Sequence, residues 1–420
     1  MLERVLKLPL WKPFRVRPFR QLWVGTALSM LADQSFLVAL TWLVLQVAGS
    51  GAELGAVLAV ASVPGVLLTP LGGVMSDRFS PARLMIFASA GRALLLGLLA
   101  ALILTDATRL WHVYLLAGGL SALDALYYPA SMAIVPTLVD RARLGAANAL
   151  AQGVEQISSI LGPALAGSLI SLLGLGASFG ANALLFLIST AMFAAMARIA
   201  NRTSGGVRTV PDAEEVRDAG WTGAVAELRE GARYAWGDPV IRAIMLILAG
   251  TNLAMVGPLY VGGATLAEAR LGGAGAFATL VAFAGAGSLA GAGAAGSVGR
   301  FARRGRLVLA LTAAEALIVG AIAFVPNLPA AAALAFGIGG AGSFLGVVNI
   351  SWLQERSEPH LTGRVMSLAM FAAVSLDPLS FALAGLLAEA GLAVLFLSAG
   401  ALLALTAMIA ASSGTVRRAV

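Results

Sequence analysis

The chain has 420 residues, 59% of them hydrophobic and only 12% charged, about half the roughly 25% charged content of an ordinary soluble domain, and this excludes a water-soluble globule. It has no cysteine and two histidines, which excludes disulfides, thiol catalysis and cysteine-ligated metal and leaves too few imidazoles for a zinc site. No nucleophile–base constellation is present either, so no enzyme activity, metal or cofactor is expected.

In chain order, a basic segment with Arg4, Lys7, Lys12, Arg15, Arg17 and Arg20 precedes a long apolar run over 22–47. That run lacks a small-residue cleavage site, so the segment reads as an arm and not as a removable signal. Further runs follow at 54–76, 82–104, 111–136, 146–172 and 177–200, then at 239–266, 274–297, 306–326, 330–353, 364–388 and 390–412. Each is long enough to cross about 30 Å of hydrocarbon as a helix, and a helix satisfies its own backbone in lipid. The expectation is an all-α membrane protein of about twelve transmembrane helices in two six-helix bundles. Its parts are an arm over 1–20, a bundle over 21–200, a polar linker with an amphipathic helix over 201–238, a second bundle over 239–413 and a tail over 414–420.

The formal charge of +7 would raise nucleic acid as a partner in a soluble protein. Here placement gives a different answer, because the basic residues gather in alternate loops and both ends. Only Arg109 and Arg270 fall in loops on the other side, and Arg92 lies within the third run. The positive-inside rule then makes both termini cytoplasmic and the protein integral to the inner membrane.

The two halves carry related loops after their second runs, Asp77-Arg78-Phe79-Ser80-Pro81-Ala82-Arg83 and Gly299-Arg300-Phe301-Ala302-Arg303-Arg304, offset by 222 residues. Half-repeats of this kind occur in secondary transporters, whose substrate sites lie between the halves. The first loop, with Gly72-Gly73 ahead of it, resembles the cytoplasmic signature of the major facilitator superfamily, although Ser80, Pro81 and Ala82 stand where Gly and a further basic residue are usual. Gly153 and then Gly162-Pro163-Ala164-Leu165-Ala166-Gly167 resemble the antiporter signature of that superfamily's exporters. The stretches 227–234 with Asp238-Pro239, Gln354-Glu355-Arg356, and Gly363-Arg364-Val365-Met366-Ser367 look like the branch of enterobactin exporters and macrolide-efflux proteins.

The resemblance implies a cytoplasmic gate of Gly73, Asp77, Arg78 and Arg83, with Asp77 as its latch, and a hinge or packing seam at Gly162, Pro163 and Gly167. It also implies proton-coupled export of a hydrophobic or amphipathic small molecule, driven by the proton gradient, by a monomer among membrane lipids. Uptake or lysophospholipid flipping remains an alternative, and a non-transporting scaffold or sensor is an alternative of another class.

Charges within the runs locate the chemistry, since one near the bilayer centre costs at least about 2.5 kcal/mol. Asp33, Asp124, Glu155 and Asp377 are the candidate proton-coupling acids, with Arg92 as a buried charge partner. In the family's fold the first, fourth and fifth helices line the central cavity, which would bring the first three acids together; Glu315, on the usually peripheral ninth helix, ranks below them. Burial favours the protonated carboxyl, and competition between proton and cargo would couple the two. Gln152, Gln156, Tyr127, Tyr128, Asn252, Tyr260, Asn349 and Trp352 are candidate substrate contacts, because amide and aromatic side chains suit bulky amphipathic molecules. Membrane-interface belts are the alternative role for the aromatics.

Overall fold

The computed structural model describes residues 9–203, 233–298, 304–358 and 361–412, and among them regular structure is helical throughout. A short 3-10 turn, Pro9–Arg15, leads into α1 (Arg17–Ala48), followed by α2 (Gly51–Arg78), α3 (Pro81–Leu104) and α4 (Leu110–Leu138). The next helical stretch, Arg141–Thr203, is interrupted at Gly174, where φ is 83° and ψ 173°, giving α5 (141–173) and α6 (175–203). Only glycine adopts such a backbone without a steric penalty, so the turn between the two helices shrinks to one residue. After the linker come α7 (Pro239–Leu271), α8 (Ala274–Val298), α9 (Arg304–Ile322), α10 (Leu328–Arg356), α11 in two pieces (Thr362–Val374 and Asp377–Ala390) and α12 (Leu392–Ser412).

Among the described residues, ten helical stretches are long and apolar enough to cross a membrane. One of them, Arg143–Ala200, has 58 residues; at 1.5 Å per residue it spans about 87 Å and serves as two crossings. α4 falls outside the ten, although its 29 residues suffice in length. It carries Asp124, Tyr127, Tyr128 and Pro129, the polar residues that matter below. Large apolar side chains point outward along the helices, Leu172 at 79% exposure and Leu317 at 76%, as a surface solvated by lipid requires.

Two helices depart from the sequence expectation. The run 364–388 is broken at Ser375 and Leu376, just ahead of Pro378, which brings no N–H to the ladder and crowds the preceding turn. α7 contains a π-helical turn at Pro258–Gly262, continues past 266 through a second one, Ala267–Leu271, and stops at Gly272 in the left-handed region, φ 101°. The amphipathic helix expected within 201–238 lies almost wholly outside the described residues.

The chain divides into two compact units, Met1–Val47 with Val60–Val216, and Ala48–Ala59 with Arg217–Val420. In the first, α3 packs on α4 and on the Arg141–Thr203 stretch, around Phe19, Leu22, Met85, Ile134, Phe193 and Met196. α6 is tied to α1 by Ser189, whose hydroxyl donates to the Gly25 carbonyl at 2.9 Å. In the second, α8 packs on α10, α9 on α10 and α12, and α7 on α12 and the second piece of α11.

Candidate functional site

α3 carries Arg92 in the middle of an otherwise apolar run, and its side chain is 1% exposed. A guanidinium cannot shed its charge in a protein, so its neighbours must supply the compensation. α4 supplies Asp124, whose Oδ1 lies 2.7 Å from Nη2. α1 supplies Asp33, with Oδ2 3.5 Å from Nη1, and Ser29, whose Oγ accepts from Nη1 at 3.3 Å. Aromatic rings complete the enclosure: the guanidinium carbon sits 4.3 Å from the Tyr127 ring centroid and 5.3 Å from that of Phe186, within range of a cation–π attraction.

The arrangement is asymmetric in access. Arg92 is sealed, whereas the Asp33 and Asp124 side chains are 40% and 52% exposed. With both acids ionised the cluster carries one net negative charge; with one protonated it is neutral and Arg92 keeps an anionic partner. It can therefore exchange a proton, or accept a cationic group in the proton's place, without leaving the buried cation bare.

The other expected residues are placed as follows. Glu155 and Gln152 are exposed on α5 and Gln156 is half-buried; Glu155 lies within electrostatic range of Tyr128, and the acids that pair with Arg92 are Asp33 and Asp124. Gly162 and Pro163 are buried, and a β-carbon on Gly162 would collide with Gln34 of α1. Gly167 is also buried. In the second unit, Asp377 opens the second piece of α11 with Oδ1 buried and unbonded, within electrostatic range of Tyr260. Tyr260 sits on the first π turn of α7, its ring 6.4 Å from that of Phe381. Asn252 donates to the Leu248 carbonyl of its own helix at 2.9 Å. Asn349 is buried with Oδ1 unbonded, and Trp352 is buried among Val308, Leu345 and Val365. Of the gate residues, Arg83 is exposed in the first turn of α3; the side chains of Asp77 and Arg78, and the surroundings of Gly73, lie outside the described residues.

The second unit also holds charged contacts that sequence reading did not assemble. Asp238 caps α7, accepting from the backbone N–H of Val240 at 2.8 Å and Ile241 at 3.2 Å. Its other oxygen takes Nε of Arg356, at the end of α10, at 2.9 Å. Burial alone would push this carboxyl up, but the Arg356 bond and the two backbone bonds outweigh it and hold Asp238 below the usual carboxylate range. Arg304, at the start of α9, grips Glu355 with two bonds of 2.7 and 3.2 Å. The signal available in the sequence was Asp238-Pro239 at the head of an apolar run, a helix-start pattern.

The model of the Major Facilitator Superfamily matches residues 22–376. The chain belongs to this superfamily. Among curated relatives it is 28% identical over 376 residues to the multidrug efflux pump Tap of Mycolicibacterium fortuitum, covering 86% of this chain and 87% of that protein. It is likewise 28% identical over 402 residues to Tap of Mycobacterium tuberculosis, covering 92% and 91%. A match to the uncharacterized transporter YfiS of Bacillus subtilis, also 28% identical, spans 39% of this chain and 38% of YfiS. Solved structures with the same fold include a POT family transporter in complex with 5-aminolevulinic acid, with a TM-score of 0.73, 11% identity and coverage of 94% and 95%. The nucleoside transporter NupG is another, at a TM-score of 0.72, 15% identity and coverage of 94% and 99%. The chain is a multi-pass membrane transporter of the major facilitator fold and not an enzyme.

Proposed function

We propose that this transporter works by alternating access as a proton-coupled exporter of hydrophobic or amphipathic small molecules, with Asp33, Arg92 and Asp124 as its proton-responsive site. The observation that carries the reading is the sealed Arg92 held between two partly open carboxylates. Charge inside an apolar run is costly and persists where it has work to do, and the two acids give the site two protonation levels around one fixed cation. The likeness to Tap over nine-tenths of the chain supports drug-like cargo. Tyr128, at 49% exposure, and Gln152 and Gln156 are the candidate cargo contacts of the first unit, and Asp377 with Tyr260 supplies a second locus. The basic loops support insertion in the inner membrane with both termini cytoplasmic.

The test is efflux of a lipophilic dye and of a macrolide from sealed proteoliposomes under an imposed pH gradient, with wild type, Asp33→Asn and Asp124→Asn. The proposal expects gradient-driven cargo movement that at least one neutral variant loses. Cargo movement that ignores the gradient in all three proteins would replace coupling with facilitated passage.

A further inference from the structure

Glu315 stands in the middle of α9, at 0% exposure, with neither carboxyl oxygen bonded to any protein group. It is the one fully buried acid among the described residues. The core that α9 shares with α10 and α12 is apolar, with Ala316 and Val319 on α9, Ile338 on α10 and Leu403 on α12 in one continuous cluster. α10 approaches so closely that a β-carbon on Gly342 would stand 2.9 Å from Glu315 Oε1. The carboxyl therefore fills the space that a glycine leaves open between two packed helices.

Among the described residues, no counter-charge reaches it. α9 carries two other charged side chains, Arg304 and Arg306; Arg304 is engaged with Glu355, and Arg306, nine residues from Glu315, is about 14 Å away along the axis. On α10 the titratable groups are Glu355 and Arg356, thirteen or more residues beyond Gly342 and so about 20 Å away. α12, the other helix packed on α9, has none. Thr312, also fully buried, spends its hydroxyl on the Val308 carbonyl. An ionised carboxylate buried without a cation or a protein donor costs far more than the proton that would neutralise it.

We infer that Glu315 is a proton-binding site of the second unit, occupied at neutral pH and able to release its proton only when α9 and α10 part at Gly342. The inference depends neither on the Asp33–Arg92–Asp124 cluster of the first unit nor on the export reading.

The test is infrared spectroscopy of the full chain in lipid at neutral and mildly alkaline pH, comparing wild type with Glu315→Gln. The expected result is a protonated-carboxyl C=O band in wild type that is diminished in the variant, whose melting temperature at neutral pH stays near that of wild type because the amide imitates the neutral acid. A protonated-carboxyl band identical in the two proteins would overturn the inference. Should the variant fail to fold, carboxyl-labelled carbon-13 glutamate is incorporated into Glu155→Gln protein, which retains Glu315. An isotope-shifted protonated-carboxyl band at neutral pH then supports the site, and its absence at neutral pH rules the site out.

Discussion

Arg92 and Asp124 meet at 2.7 Å across α3 and α4, yet Arg92 is 1% exposed and Asp124 52%. The cation is a fixed part of the bundle and the anion is its variable partner, and this difference sets what each substitution should do.

Arg92→Met leaves two neighbouring carboxylates with no cation between them. Breaking a buried pair costs about 3–5 kcal/mol; since both acids are more than a third exposed, screening lowers this to about 2 kcal/mol. A clear fall in melting temperature in detergent is expected, partly restored by adding Asp33→Asn and Asp124→Asn together. Arg92→Lys should rescue poorly, because a compact ammonium cannot span both acids and stack on Tyr127.

The two acids should not be equivalent. Asp124→Asn gives up the 2.7 Å bond and Asp33→Asn one of 3.5 Å. With screening at these open groups, the losses should be about 1 kcal/mol for Asp124→Asn and under about 0.5 kcal/mol for Asp33→Asn. Parallel thermal melts of the two single variants check the order.

Asp238 and Arg356 predict a pH dependence of local order. The folded Asp238 carboxyl is held below its ordinary value, so its contribution is fully present above the unfolded value, about 3.9, and disappears as pH falls through the lower folded value. Protease sensitivity near the start of α7 should stay flat around neutral pH and rise only in acid. A double-mutant cycle of Asp238→Asn and Arg356→Gln should give a coupling of about 1 kcal/mol or less, because Arg356 is half exposed.

Two glycines of α5 should behave oppositely. Gly162→Ala drives a β-carbon into Gln34 and the Ser35 backbone and should cost about 1–3 kcal/mol through overpacking. Gly153→Ala meets no described atom within 4 Å and should be neutral or stabilising by up to about 1 kcal/mol, because alanine is the better helix former. Expression level and melting temperature of the two proteins separate the cases.

The crossings were readable in the sequence because continuous apolar runs are what lipid demands, and Asp33, Arg92 and Asp124 stood out as charges within them. That Arg92 grips Asp124 more closely than Asp33, and that Glu155 lies with Tyr128 instead, depends on how α1, α3, α4 and α5 rotate against one another, which no local pattern encodes. The same holds for Asp238 and Arg356, 118 residues apart. The break in α11 was masked by unbroken hydrophobicity over 364–388, even though Pro378 marked the place. Serine and phenylalanine at 29 and 186 gave no sign of their role, since both are ordinary residues of an apolar helix until Arg92 is packed against them.

Proton release on cargo binding, followed with a pH indicator in weakly buffered detergent solution, tests the central claim most directly. If the cluster exchanges a proton for cargo, wild type acidifies the medium when a cationic dye binds, and the Asp33→Asn, Asp124→Asn double variant binds without releasing a proton or does not bind. Equal proton release from wild type and double variant would place the exchange elsewhere and contradict the role assigned to the acids around Arg92.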